Sequence, residues 1–474
     1  MPTLLYSNAL TNTQIRLISF PQSVAETVEE LQLSIHEYSL DSLPVYHALS
    51  YTWGPPRLDD PAYTEADRLS ITINGLNVKV YPNLFDALQS LRSSQLTEHY
   101  WIDAICINQD DILEREAQVG IMDRIYKSAK QVDLWLGKSG ELASEVTRMI
   151  INMAEAGPGG VERVYRQEQI PNQYELNAKV MRIFDLPAEM GKEWEAFLDF
   201  FDRSWFHRTW VRQEVALSKS AIALWDGKVI PWEAMVLCAQ FLTTSGIGQE
   251  LIKLSKRNRS RVPILPLQIS ALQNICHRPF ADGLSKYADM AIILSHLTGW
   301  TSEFTSHSHI ICALLILADG ALLTDKRDAV FALLGILNHI SDAENLPRPR
   351  LRPAYDAHTT VATVFTAVTS NIINSCRCAG ILSMITDASI KSVPNLPTWV
   401  PDFSISANFI VMRAVKMDQF SASKIEDITV ESFDIHDMVL NTRGCRVGRI
   451  HATSKAFLNS PTTGELEAFF SIPL

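Results

Sequence analysis

The sequence predicts an α/β fold: a parallel sheet flanked by helices, with β-hairpins added before it, followed by a mainly helical C-terminal region with a few short strands. Three observations predict it. Residues 100–137 read as strand, capped helix, strand, the βαβ unit of a parallel sheet. Asn74-Gly75 lies between Ile71-Thr72-Ile73 and Val78-Lys79-Val80, the strongest short hairpin signal. From about residue 235 onward, apolar segments of helical length dominate, at 235–242, 264–276, 287–299, 310–318 and 328–338.

Taken in order, residues 14–20 form a strand and residues 28–35 its hairpin partner. Residues 45–51 are a third strand, stopped by Thr52-Trp53-Gly54-Pro55-Pro56. Residues 57–67 are polar and form an exposed loop. After the Asn74-Gly75 hairpin, Asn83 caps a helix with Leu84, Ala87, Leu88 and Leu91 on its apolar face. Tyr100-Trp101-Ile102 is a buried strand with Asp103 at its carboxyl end. Asn108 to Asp111 crowd a turn, and Asp111 with Glu114 reads as a capping pair. Leu113, Ala117, Ile121 and Ile125 then line one helical face, and Glu114, Arg115 and Glu116 are solvated. Residues 132–136 are the next strand.

Helices follow at about 144–156 and 192–201. Phe206, Trp210, Gln213 and Leu217 share one helical stripe, and Trp210 neighbours Glu214 at four residues' spacing. Residues 221–225 and 229–230 are strands about Asp226-Gly227. Thr324 or Asp325 caps the helix entered at Ala329, and residues 360–373 form another helix. Residues 394–401 are held extended by their prolines. Met438-Val439-Leu440 and residues 446–450 are short strands. The expected domains are residues 1–232, 233–390 and 391–474.

The balance of 42 basic against 53 acidic residues leaves a charge of −11. This argues against general affinity for nucleic acid or anionic membrane. Lys253, Lys256, Arg257, Arg259 and Arg261 form one basic cluster, read as a solvated helix end. No secretory leader opens the chain, and no apolar run spans a bilayer. The seven cysteines therefore read as free thiols in a reducing, cytoplasmic setting, and Cys376-Arg377-Cys378 lacks the second pair of a zinc site.

Three stretches stand together: Ala48-Leu49-Ser50-Tyr51-Thr52-Trp53-Gly54; Trp101 to Gln109 with its helix; and Ser204-Trp205-Phe206 through Trp210-Val211-Arg212-Gln213-Glu214 to Leu217. In this order and spacing they resemble the heterokaryon incompatibility (HET) domain of filamentous fungi. Asp325 to Gly335 and Leu396 to Asp402 resemble what often follows that domain. The resemblance implies a part in non-self recognition and regulated cell death when unlike cells fuse. It also implies a distant similarity to TIR domains, flavodoxin-like modules of which some cleave NAD with a helix-borne glutamate four residues after a tryptophan. Trp210 and Glu214 match that spacing. The 57–67 loop, the Asn74-Gly75 hairpin and the 138–202 insertion depart from the TIR pattern.

On this resemblance Glu214 is the candidate catalytic carboxylate and NAD the candidate substrate, with no cofactor required. NAD cleavage expels an already cationic base through an oxocarbenium-like sugar, so a carboxylate beside the ribose suits it. Asp103, Asn108 and Gln109 would hold ribose or phosphate groups, and Ser50, Tyr51, Trp53 and Gly54 the opposite wall. Trp210 would pack on a ring, and Arg208 or Arg212 would neutralise pyrophosphate. Each has a plainer reading. Glu214 would pair with Arg208 or Arg212; Asp103 and Asn108 would cap turns; Trp53, Trp101, Trp135 and Trp210 would be core. Cys106, with His47, His99 or His207 as base, would be a small core residue rather than a nucleophile. The alternatives to a hydrolase are a non-catalytic module for homotypic assembly with a non-self recognition partner, and a nucleotide sensor without turnover.

Overall fold

The computed structural model describes residues 5–6, 8–21, 31–94, 99–138, 140–168, 172–225, 227–258, 266, 269–270, 272–273, 276, 315, 321–343, 351–376, 381–382, 385, 391–405, 433–436 and 439–442. The chain forms two units, residues 1–277 with 353–355, and residues 278–352 with 356–474.

In the first unit, branched and aromatic runs build a nine-stranded mixed sheet. Its strands are β1 (Gln14–Ser19), β2 (Gln32–Ser39), β3 (His47–Ser50), β4 (Leu69–Ile73), β5 (Leu76–Val80), β6 (His99–Trp101), β7 (Gln131–Trp135), β8 (Ala221–Trp225) and β9 (Lys228–Pro231). They lie in the order β5-β4-β2-β1-β6-β3-β7-β8-β9. The centre, β6-β3-β7-β8, is parallel. Every residue of β3 is buried, as a strand covered on both faces requires. In chain order the central strands run second, first, third, fourth, the order of a doubly wound sheet whose connections reverse beside β3. Antiparallel pairs flank this centre: β1 with β2 and β6, β4 with β5, and β8 with β9.

The hairpin expected at Asn74-Gly75 joins β4 to β5, and both turn residues take positive φ, 50° and 80°. The partner of β1 is β2, four residues later than the expected 28–35; residues 22–30 lie outside the described set.

Between the strands run α1 (Pro82–Ser94), α2 (Asp103–Cys106), α3 (Ile112–Val119), α4 (Met122–Ser128), α5 (Ala143–Ala156), α6 (Gly160–Glu168), α7 (Gln173–Ile183), α8 (Lys192–Phe201) and α9 (Val211–Ala216). Next come α10 (Trp232–Thr244) and α11 (Ile247–Asn258). The 138–202 insertion is thus α5 to α8. Helix α5 packs on α8 and α10, with Val146, Met149, Ile150 and Met153 buried.

Four local expectations are corrected. Asn83 does not cap α1, which starts at Pro82. Its buried amide donates to the Thr52 carbonyl (2.7 Å), and its carbonyl accepts the Trp135 indole N–H (2.8 Å). It ties the turn after β3 to β7. The helix after Asp111 breaks at Gly120, and Leu113 is 77% exposed. Asp111 caps α3 as expected, through the Leu113 and Glu114 amides. Glu114, however, is buried rather than solvated. It meets Arg16 at 2.6 Å and accepts the Leu10 and Asn108 amides. Satisfying this buried charge turns the Glu114–Gln118 face inward and Leu113 outward. Finally, the stripe from Phe206 to Leu217 is not one helix. Ser204–His207 is a 3₁₀ turn, and α9 begins after Trp210.

In the second unit, α12 (Asp328–Ala343) and α13 (Val361–Cys376) are the expected helices. The Asp325 carboxylate accepts the Arg327 amide ahead of α12. Strands β10 (Phe433–His436) and β11 (Val439–Thr442) pair antiparallel. The expected strand at 446–450, the apolar segment at 287–299, and Arg259 and Arg261 lie outside the described residues.

Candidate functional site

The parallel centre brings the carboxyl ends of β3 and β6 side by side, and each contributes a polar residue there. Strand β3 ends at Ser50. Strand β6 is followed by Ile102 and then Asp103, the first residue of α2. The 3₁₀ turn supplies Trp205, the residue that follows it is Arg208, and α9 supplies Glu214. The Ser50 hydroxyl donates to Glu214 Oε2, and Trp205 Nε1 donates to Ser50 Oγ at 2.7 Å. Tyr126, on α4, hydrogen-bonds the same carboxylate. Ser50, Trp205, Tyr126 and Glu214 are all buried, Glu214 to 3% exposure. Two edge-on contacts hold the donors: Trp101 against Tyr126 at 5.4 Å, and Phe206 against Trp205 at 5.1 Å.

Burial is the largest influence on Glu214 and pushes its carboxyl up to about 7. The Asp103 charge acts in the same direction, whereas Arg208 and the Ser50 and Tyr126 hydrogen bonds oppose it. Asp103 is also raised, by desolvation against the opposing Arg208 charge. The Tyr51 and Tyr126 phenols are pushed well above their usual range by burial, so both remain neutral donors at physiological pH. The site therefore holds two carboxyl groups, one guanidinium and two neutral phenols at the mouth of a parallel sheet, where open α/β folds bind ligands.

The sequence candidates fall in three groups. Ser50, Tyr51, Asp103, Arg208 and Glu214 share one electrostatic neighbourhood. Arg208 donates to the Tyr51 carbonyl, and Arg212, buried, donates to the Arg208 carbonyl at 3.0 Å. Trp53 and Gln109 attach to Asp103. The Trp53 indole donates to Oδ2 at 2.9 Å, and Gln109 Nε2 donates to the main-chain oxygen at 3.0 Å. Trp53, 38% exposed, is not core, unlike Trp101 and Trp135. The remaining candidates serve the scaffold. The Asn108 side chain accepts the Asp110 amide in its turn, the Gly54 carbonyl accepts from Asn83, and half-buried Trp210 stands as N-cap of α9.

Two members of the site carried no role in the sequence reading, Trp205 and Tyr126. Trp205 lay within the third quoted stretch, so its position was visible and its partner was not. Tyr126 comes from α4, a separate helix after the break at Gly120, whose facing no spacing rule reports.

Cys106 is core, as its plainer reading held. Its sulfur accepts the Ile102 amide at 3.3 Å, and burial pushes the thiol up to about 12. The histidines offered as its base are engaged elsewhere: His47 with Asp133 (2.9 Å), His207 with Asp202 (3.1 Å) and His99 with Tyr38 (3.4 Å). Among the described residues no group of three His, Cys, Asp or Glu could hold a metal ion, and no helix is long and apolar enough to cross a membrane.

Comparison with known proteins agrees with the three quoted stretches. Residues 46–214 match the family model for heterokaryon incompatibility protein (HET). The Heterokaryon incompatibility protein 6, OR allele, of Neurospora crassa is 26% identical over 424 residues, 83% of this chain and 58% of that protein. The chain thus matches a little over half the length of this relative. No solved structure matches.

Proposed function

We propose, from the premise that the chain carries a fungal HET domain over residues 46–214, that it is an effector of heterokaryon incompatibility that hydrolyses NAD through Glu214. One observation carries the chemical part. Glu214 is buried at the carboxyl end of the parallel strands, gathered with Ser50, Asp103 and Arg208. The incompatibility role is supported by the family match and by the name of the Neurospora relative.

In the proposed reaction the bond between ribose C1′ and the nicotinamide nitrogen breaks. Nicotinamide leaves with the electron pair and becomes neutral. The sugar passes through an oxocarbenium-like state whose positive charge the ionised Glu214 offsets. Water adds at C1′ and loses its proton, giving ADP-ribose, nicotinamide and one proton. Arg208 supplies positive charge for the pyrophosphate, and Asp103, with Trp53 against it, lies toward the accessible side.

The burial of Glu214, already satisfied by two hydroxyl groups, also favours a second reading. The carboxylate would then be a structural tie among β3, α4 and α9 in a non-catalytic assembly module. Nicotinamide release by purified protein, over a wide range of protein concentration and beside Glu214→Gln, separates the two. Release by wild type alone supports the hydrolase. Release by both moves the chemistry away from Glu214. Release by neither, at concentrations where the chain self-associates, supports the assembly module.

A further inference from the structure

We infer that Ser50 is a positioning residue of the Glu214 site: braced by the Trp205 indole, its hydroxyl turns its one proton onto the carboxylate and holds it in a single orientation. The inference rests on the reading of Glu214 as the carboxylate that faces the ribose. It replaces the expectation that Ser50 lines a wall against the ligand.

The donors and acceptors in this hydrogen-bonded row can be counted. An indole N–H donates and cannot accept. At 2.7 Å it occupies one lone pair of Ser50 Oγ. A serine hydroxyl has one proton, and its acceptor in the structure is Glu214 Oε2. The polarity of the chain Trp205 to Ser50 to ionised Glu214 therefore follows from the residue types alone. The brace is itself fixed. Trp205 is 1% exposed and lies edge-on to Phe206 at 5.1 Å and to Trp232 at 6.2 Å. Ser50 sits on the central parallel strand, so neither partner in this chain is borne on a loose loop.

The groups that face Glu214 from the surrounding elements are Ser50 and Tyr51 from β3 and its exit, Tyr126 from α4, Asp103 from α2, and Arg208 from the segment before α9. Arg208 and the two hydroxyl donors favour the ionised carboxylate; burial and Asp103 disfavour it. Removing the Ser50 hydroxyl leaves burial less opposed. The carboxyl group then keeps its proton to higher pH, and its orientation rests on Tyr126 alone.

The test uses the full chain as Ser50→Ala and Trp205→Phe, read in two ways. One is the pH profile of nicotinamide release from NAD. The other is an infrared titration of the Glu214 carboxyl group, isolated by subtracting Glu214→Gln, which requires no turnover. In Ser50→Ala the infrared midpoint is expected to rise by about one to two pH units, the worth of a hydrogen bond to a charged group. The rate profile moves with it. Trp205→Phe, which leaves the hydroxyl in place but unbraced, gives a smaller rise in the same direction. An unchanged infrared midpoint in Ser50→Ala overturns the inference. If Ser50→Ala loses its native near-ultraviolet circular dichroism, Trp205→Phe decides, and an unmoved midpoint there overturns it equally. A shifted midpoint without nicotinamide release from any form upholds the positioning role and removes the hydrolase reading. Release by wild type and Ser50→Ala with identical pH profiles does the reverse.

Discussion

Replacing Glu214 with glutamine should make the protein's stability less sensitive to pH rising from about 4.5 to 7, and the size of the effect follows from where the carboxyl group sits. Its ordinary value of 4.5 is raised to about 7, chiefly by burial. Between those values the folded chain holds a proton that the unfolded chain has released. Folding stability therefore falls as pH rises through this window and levels off above it. One pH unit across the window is worth about 1.4 kcal/mol. Ionising Glu214 thus costs the fold about 3 kcal/mol by pH 8, a large part of the stability of an ordinary domain. Glutamine keeps the shape and an acceptor for Ser50 and Tyr126, and it carries no charge to bury. Urea unfolding of wild type and Glu214→Gln from pH 4.5 to 8 checks this. The wild-type stability, less that of the variant, should fall by about 3 kcal/mol over the series, because shifts at Asp103 and elsewhere are common to both. A difference that stays constant with pH would refute the claim that this carboxylate is ionised against its burial. A catalytic reading gives that cost a purpose, since a strained, charged group is a common exchange of stability for activity.

The same titration predicts that nicotinamide release rises with pH to a midpoint near 7, since the ionised carboxylate is the active form; a profile falling through neutrality would contradict the assigned role. Glu114→Ala should cost about 3 kcal/mol or more in urea unfolding, because the buried Arg16 charge keeps the Cys106 and Asn8 carbonyls as acceptors but has, as its remaining carboxylate, the partly exposed Glu37 at 3.5 Å; a loss below about 1 kcal/mol would show the pair to be dispensable. Asn83→Ala strands the buried Trp135 indole N–H and the Thr52 carbonyl, and a loss of about 2–3 kcal/mol is expected by the same assay. Gly137→Ala should lower the melting temperature, since φ there is +84° and an added Cβ would lie 2.4 Å from Pro56 Cβ; an unchanged melting temperature would mean the 55–56 turn yields freely.

The βαβ order about Tyr100 to Gly137, the Asn74-Gly75 hairpin, the Asp111 cap and the three stretches that match the HET family could be read from the residues alone, because each is written in neighbouring positions. Period, turn chemistry and cap spacing are local quantities. Tertiary structure decided what those residues face. Asn83 and Glu114 carry strong local signals for capping and solvation, yet both are buried, because a distant indole and a distant guanidinium offset the cost of desolvating them. The site divides along the same line. Ser50 and Asp103 were legible as polar residues at strand ends, and Glu214 by its four-residue spacing from Trp210. Their convergence, the brace from Trp205 and the donor from Tyr126 were not, because they join residues more than eighty positions apart. The partner of a buried hydroxyl is chosen by the order of strands in the sheet, and strand order is a property of the folded chain.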